Sequence, residues 1–123
     1  MARGREKHQA WQQAVSALGK NLSRRARSRC ELCESSEKLK VVEVAGSPLE
    51  EPDEDWAILV CAGCESLMDG RPQGPVRFLE GSMWSELRPV QIAAVRALRT
   101  LEAPWAVAAL EGLYLDPEVE ALL

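Results

Sequence analysis

Histidine is nearly absent from this chain: His8 is the single one in 123 residues. That scarcity excludes metal sites built on paired imidazoles, and most of the acid–base chemistry that histidine performs near neutral pH. Aromatic residues make up only 5%, so a compact unit of this length has a modest core that an internal staple would help. No apolar run approaches the roughly 20 residues a membrane-crossing helix needs. The opening MARGREKHQAWQQAV lacks the apolar centre of a secretory leader. The expected compartment is the cytoplasm, with no membrane partner. No cysteine falls outside two CxxC pairs, and no glycine follows either pair, where knuckle turns often place one. Glu34 and Glu65 stand there instead.

The four cysteines are Cys30, Cys33, Cys61 and Cys64. In a reducing compartment, paired CxxC units read as metal ligands rather than disulfides. Four thiolates suit a closed tetrahedral Zn²⁺ site, and residues 34–60 are long enough to form a hairpin that returns the second knuckle to the first. One structural zinc ion is therefore the expected cofactor. Iron competes, because four thiolates hold it too. Redox pairs and unligated thiols are the bland alternatives. A redox CxxC opens a helix in a thioredoxin-like unit, and the chain is too short to give each pair one.

Charge is unevenly spread. Residues 1–29 carry eight basic groups against Glu6, for +7, and the remainder stands at −11. This is a basic arm on an acidic body. Arg24, Arg25, Arg27 and Arg29 crowd the first knuckle and are candidate nucleic-acid contacts. The acidic body is the rival target for the same arm.

Residues 6–22 read as a helix, with Trp11, Val15, Leu18 and Leu22 on one stripe. Strands are expected at 38–46 and 56–61, paired antiparallel around an acidic loop at 47–55. A helical turn closed by Gly70 is expected at 65–70, then a breaker cluster at 71–75. Helices follow at 88–103, with Pro89 in the first turn, at 105–114, and at 116–123 behind an Asp116 cap. The fold class is α+β: a small zinc-stapled β-hairpin, zinc ribbon or treble-clef-like, with an N-terminal helix and a C-terminal helical segment. The parts are a basic helix or arm (1–29), a four-cysteine zinc-binding hairpin module (30–70) and a helical segment packed on it (71–123).

Nothing in this layout assembles a catalytic centre. Treble-clef nucleases of the HNH type carry histidines at the hairpin, and here the place reads Val42-Glu43-Val44. Ser85 or Ser82 reads as a turn cap, and Glu86 as an acid near the positive end of a helix, rather than as a nucleophile and base. Residues 50–55 lack the glycine-centred spacing of a calcium loop. Phe78, Trp84, Trp105 and Tyr114 are expected in the core.

Two strings are similar to a known family. CELC with LKVVEV and LVCAGC resembles the front of PhnA-like proteins, named for the alkylphosphonate-uptake operon. GSMWSELRPVQIAAVRALRTLEAPWAVAALEGLYLD (81–116) resembles their later part, most specifically at SMWSE (82–86). The resemblance covers roughly residues 22–123. It implies a zinc-ribbon protein whose metal ligands are the four cysteines, with no demonstrated reaction behind the operon name. The chain departs from the family at Glu34, in the basic segment 1–21, and in stopping at Leu123, before the small β-barrel of longer members. The expected function is a non-catalytic binding or adaptor module with an unnamed protein partner. The alternatives are a nucleic-acid-binding regulator and, behind it, an enzyme of phosphonate metabolism.

Overall fold

A computed structural model describes the backbone of residues 2–44 and 53–123, with the side chains of Gln9, Gln13, Ala14 and all residues from Ala17 onward in those ranges. The side chains of His8, Trp11 and Val15, and residues 47–52 of the acidic loop, lie outside the described residues.

Helix α1 (Ala2–Ala26) runs past the expected end at residue 22. Arginine and alanine are good helix formers, and Arg24 and Arg25 in the last turn oppose the negative end of the helix dipole. The helix stops without a glycine. Arg27 and Ser28 both adopt left-handed backbone, at φ 57° and 58°, and the Ser28 N–H donates back to the Ser23 carbonyl at 2.8 Å.

Strands β1 (Lys40–Glu43) and β2 (Ala57–Val60) form the expected antiparallel hairpin, with Val41 opposite Leu59 and Val42 opposite Ile58. Both are shorter than expected, although the Val44 N–H still donates to the Trp56 carbonyl at 2.7 Å. All four residues of β2 are buried, because both of its faces are covered. Ala57 and Leu59 pack with Leu18, Leu22 and Val41, under α1. Ile58 and Val60 belong with Val42 and Val44 to the larger core. A strand covered on both sides needs no polar alternation, which explains the unbroken apolar string AILV.

The larger core is organised by α4 (Arg88–Thr100), which touches β2, a 3₁₀ turn at Glu54–Trp56, α2 (Ala62–Met68), α3 (Leu79–Ser82) and α5 (Pro104–Glu111). Val90, Ile92, Ala93, Ala94, Val95, Ala97 and Leu98 are all buried. The three alanines let neighbouring backbones approach closely, while Val90, Ile92, Val95 and Leu98 each contribute roughly 1.5–3 kcal/mol by leaving water. A short helix α6 (Pro117–Glu120) follows, with Asp116 extended at its N-cap but making no side-chain cap bond. Helix α3 has no counterpart in the sequence reading. It is a single turn, too short for a period, and it sinks Leu79 completely.

The aromatic expectation needs correction. Phe78 and Trp105 are half-buried against the core. Trp84 is 50% exposed and Tyr114 is 88% exposed. Tyr114 lies beyond the end of α5, and nothing among the described residues covers it.

Candidate metal centre

The first knuckle, Cys30–Cys33, sits between α1 and β1. Its turn is closed by the Glu34 N–H donating to the Cys30 carbonyl at 2.9 Å and the Cys30 N–H donating to the Ser35 carbonyl at 2.7 Å. The Cys33 N–H points at the Cys30 sulfur, 3.5 Å away. Glu34 takes a left-handed conformation, φ 69°, at the position where such turns favour glycine. A left-handed residue with a Cβ costs about 1–2 kcal/mol, and glycine returns about 0.5–1 of that as chain entropy. Glu34→Gly is therefore expected to raise stability by roughly 0.5–1 kcal/mol, read as a higher denaturant midpoint. A lower midpoint would mean that the Glu34 side chain contributes a contact that outweighs the strain.

The second knuckle follows β2 directly. Cys61 is the extended N-cap residue of α2, with no side-chain cap bond, and Cys64 lies in the first turn. The Glu65 N–H donates to the Cys61 carbonyl at 3.0 Å. The helix therefore starts three residues before the expected turn at 65–70. Gly70, at φ 79°, ends the segment as expected.

The two knuckles bring all four sulfurs within 4.8 Å of one another. Cys33 Sγ and Cys61 Sγ lie 3.6 Å apart. Zn–S bonds of 2.3 Å in a tetrahedron set sulfurs about 3.8 Å apart, so the cluster has the dimensions of a four-cysteine metal site. Cys30 and Cys64 are buried, and Cys33 and Cys61 are half-buried. The four predicted ligands are thus together and can hold a metal ion.

Their protonation also fits a cation. The Cys64 thiol donates towards Cys30, and with backbone N–H groups of Cys33, Cys61 and Leu32 it lowers Cys30 to about 4 against the effect of burial. Burial pushes Cys33 up to about 11, helped by the nearby charge on Cys30. Cys64 is pushed up further, first by its bond to Cys30 and then by burial. Alone, the cluster concentrates negative charge on Cys30 and keeps protons on Cys33 and Cys64. A dication bound by four thiolates must displace those protons. Loading at pH 7 is expected to release at least two protons per metal, from Cys33 and Cys64, and affinity should rise with pH. Calorimetry in two buffers of different ionisation enthalpy counts them; fewer than two would mean that Cys33 and Cys64 do not both carry protons that the metal displaces.

Side chains outside the cluster lock the knuckles to the fold. Arg25 grips Glu31 with two bonds, Nε to Oε2 at 2.9 Å and Nη2 to Oε1 at 2.8 Å. It also donates to the carbonyls of Glu54 at 3.0 Å and Ala57 at 2.9 Å. The Glu31 carboxylate, 3% exposed, accepts from the Leu59 N–H at 2.9 Å, while the Glu31 N–H donates to the Leu59 carbonyl at 2.8 Å. From the other side, Ser82 Oγ donates to the Leu32 carbonyl at 2.7 Å. Ser85 Oγ accepts from the Leu87 N–H at 3.1 Å, the capping role expected of it. Of the four arginines singled out in the sequence, Arg25 is engaged inside the fold, and Arg24, Arg27 and Arg29 are exposed. Glu31 was not legible as a functional residue. The only signal was an acid inside a CxxC loop, six residues after an arginine.

No helix among the described residues is long and apolar enough to cross a membrane. No protein-family model, no curated protein and no solved structure matches the chain.

Proposed function

We propose that the protein is a non-catalytic binding module, stapled by one zinc ion on Cys30, Cys33, Cys61 and Cys64 in a treble-clef arrangement. The observation that carries this reading is the position of the second CxxC. It leaves a hairpin and enters the first turn of a helix, while the first CxxC lies in a turn before the hairpin. A flat zinc ribbon would supply its second pair from another turn. Zinc is proposed because a closed tetrahedron of four thiolates is its ordinary structural site; iron is the competing occupant of the same sulfurs. A site closed in this way keeps no open position for water or substrate, and the serines near it serve as caps and tethers. The kinship with PhnA-like proteins remains a proposal resting on the cysteine pairs and SMWSE, as does a cytoplasmic location.

Elemental analysis of protein purified without added metal should find one zinc per chain and no visible colour. Iron, or no metal, would overturn the assignment. Zinc-loaded protein incubated with DNA and with a simple phosphonate should turn over neither. Activity that tracks the protein through purification would replace the scaffold reading with an enzyme.

A second reading, nucleic-acid binding, is favoured by Arg24, Arg27 and Arg29, exposed beside the first knuckle. Phosphate contacts release counterions, so such binding weakens steeply with salt. An electrophoretic shift at low salt that disappears at high salt and in an Arg24/Arg27/Arg29→Ala variant would support it. Arg25 is left intact in that variant because its loss would damage the fold.

A further inference from the structure

Three of the four large apolar side chains exposed among the described residues, Trp84, Leu87 and Tyr114, line one open groove of about 440 Å³. Exposed apolar groups gathered in this way mark an interaction surface. The charges in the groove are unbalanced. Arg25 is engaged with Glu31, and Arg88 faces Glu118 at 3.7 Å. Asp55, Glu86 and Asp116 have no cationic partner among the described residues. A guanidinium suits such a place, stacking on the aromatic faces and pairing with the carboxylates.

A second groove, of about 450 Å³, meets the first at Arg25, Ser85 and Leu87. Its free charge is opposite. Glu31 is taken by Arg25, which leaves Arg27 and Arg29 against Glu34. Neither arginine side chain has an ion pair or hydrogen bond among the described residues. The left-handed turn at Arg27 and Ser28 ends α1 beside this groove.

From this pairing of grooves we infer that the face docks a second copy of the chain about a two-fold axis at Leu87. In a two-fold contact, residue i meets j and j meets i. Each copy then sets Arg27 and Arg29 on the Trp84, Glu86, Tyr114 and Asp116 half of the other, and Leu87 meets its counterpart at the axis. A basic peptide would satisfy only the acidic groove. A nucleic acid would satisfy only the arginine groove and meet repulsion beside it. A second copy satisfies both at once. The inference goes beyond the metal reading and is separable from it, since zinc content reports one and particle mass the other.

Sedimentation of the zinc-loaded protein at low salt is expected to give twice the 13.6 kDa of the chain, falling to a single chain at high salt. Arg27→Glu/Arg29→Glu makes the whole face acidic, and Glu86→Lys/Asp116→Lys makes it basic. Each variant alone should be monomeric, and an equimolar mixture should regain the dimer as a heterodimer. Leu87→Asp gives an independent break at an exposed position; it also supplies a favoured residue at the N-cap of α4, so the fold should hold. Retained zinc and an unchanged far-ultraviolet dichroism spectrum check folding in each case. A wild type that stays monomeric at low salt overturns the inference. So does a dimer that survives either reversal or Leu87→Asp, or a pair of folded reversals that ignore each other. A monomeric wild type that instead binds a lysine-rich peptide or a single-stranded oligonucleotide would assign the face to that partner.

Discussion

Cys61→Ser is expected to release the metal and unfold the hairpin together with the helices packed on it. Structural zinc contributes apparent binding energies of roughly 10–16 kcal/mol in small fingers. Whole domains are stable by only about 5–15 kcal/mol, so the metal term is comparable with the entire margin. Cys61 sits where that term is transmitted: it joins the end of β2 to the start of α2, and α4 packs on both. Without the metal, Cys33 and Cys64 are protonated thiols crowded around a charged sulfur, an arrangement that offers little cohesion of its own. Thermal melts followed by circular dichroism, with and without a strong chelator, measure the effect. A metal-free protein that melts at the temperature of the loaded one would show that the core alone holds the fold.

Arg25→Ala is expected to destabilise the protein by about 3–5 kcal/mol, the usual penalty for leaving one partner of a buried ion pair behind. Glu31 is almost fully covered, and without the guanidinium its carboxylate keeps only the Leu59 N–H. The loss also frees two carbonyls, of Glu54 and Ala57. Replacing both partners, as in Arg25→Met/Glu31→Leu, should cost less than either alanine substitution, since no charge is stranded. Denaturant midpoints of the three variants decide it. If Arg25→Ala costs under about 1 kcal/mol, the range of an exposed pair, then Arg25 is a surface arginine after all.

The four-cysteine cluster was readable because its signal is local: two CxxC pairs need only a hairpin between them to converge. Helix α4 was readable for a similar reason, since Pro89 marks its start and apolar residues recur through Leu98. The role of Arg25 was not readable. Among Arg24, Arg25, Arg27 and Arg29, composition treats all four alike. What separates them is where α1 ends and which way its last turn faces, and that depends on Leu18 and Leu22 packing against β2. The exposure of Trp84 and Tyr114 was missed for the converse reason. Large aromatics in an apolar helical region are usually buried, and only the tertiary arrangement shows that nothing in the described chain covers them.

The bonds between Glu31 and Leu59 have a consequence for solubility. In an antiparallel pair, alternate residues turn their N–H and C=O groups away from the partner strand. On β2 these belong to Ala57 and Leu59, and Arg25 and Glu31 occupy three of the four. An incoming strand therefore finds that margin closed, and it can approach only along β1, which begins at Lys40 and ends at Glu43. Charges at both ends of so short a strand discourage edge-to-edge pairing. Because the first knuckle carries Glu31, a metal-free knuckle would loosen the cover over β2 and expose AILV, the more apolar of the two described strands, to its neighbours in solution. An ion held by the four cysteines would thereby also guard against aggregation, and metal-starved protein should turn cloudy at concentrations where loaded protein stays clear.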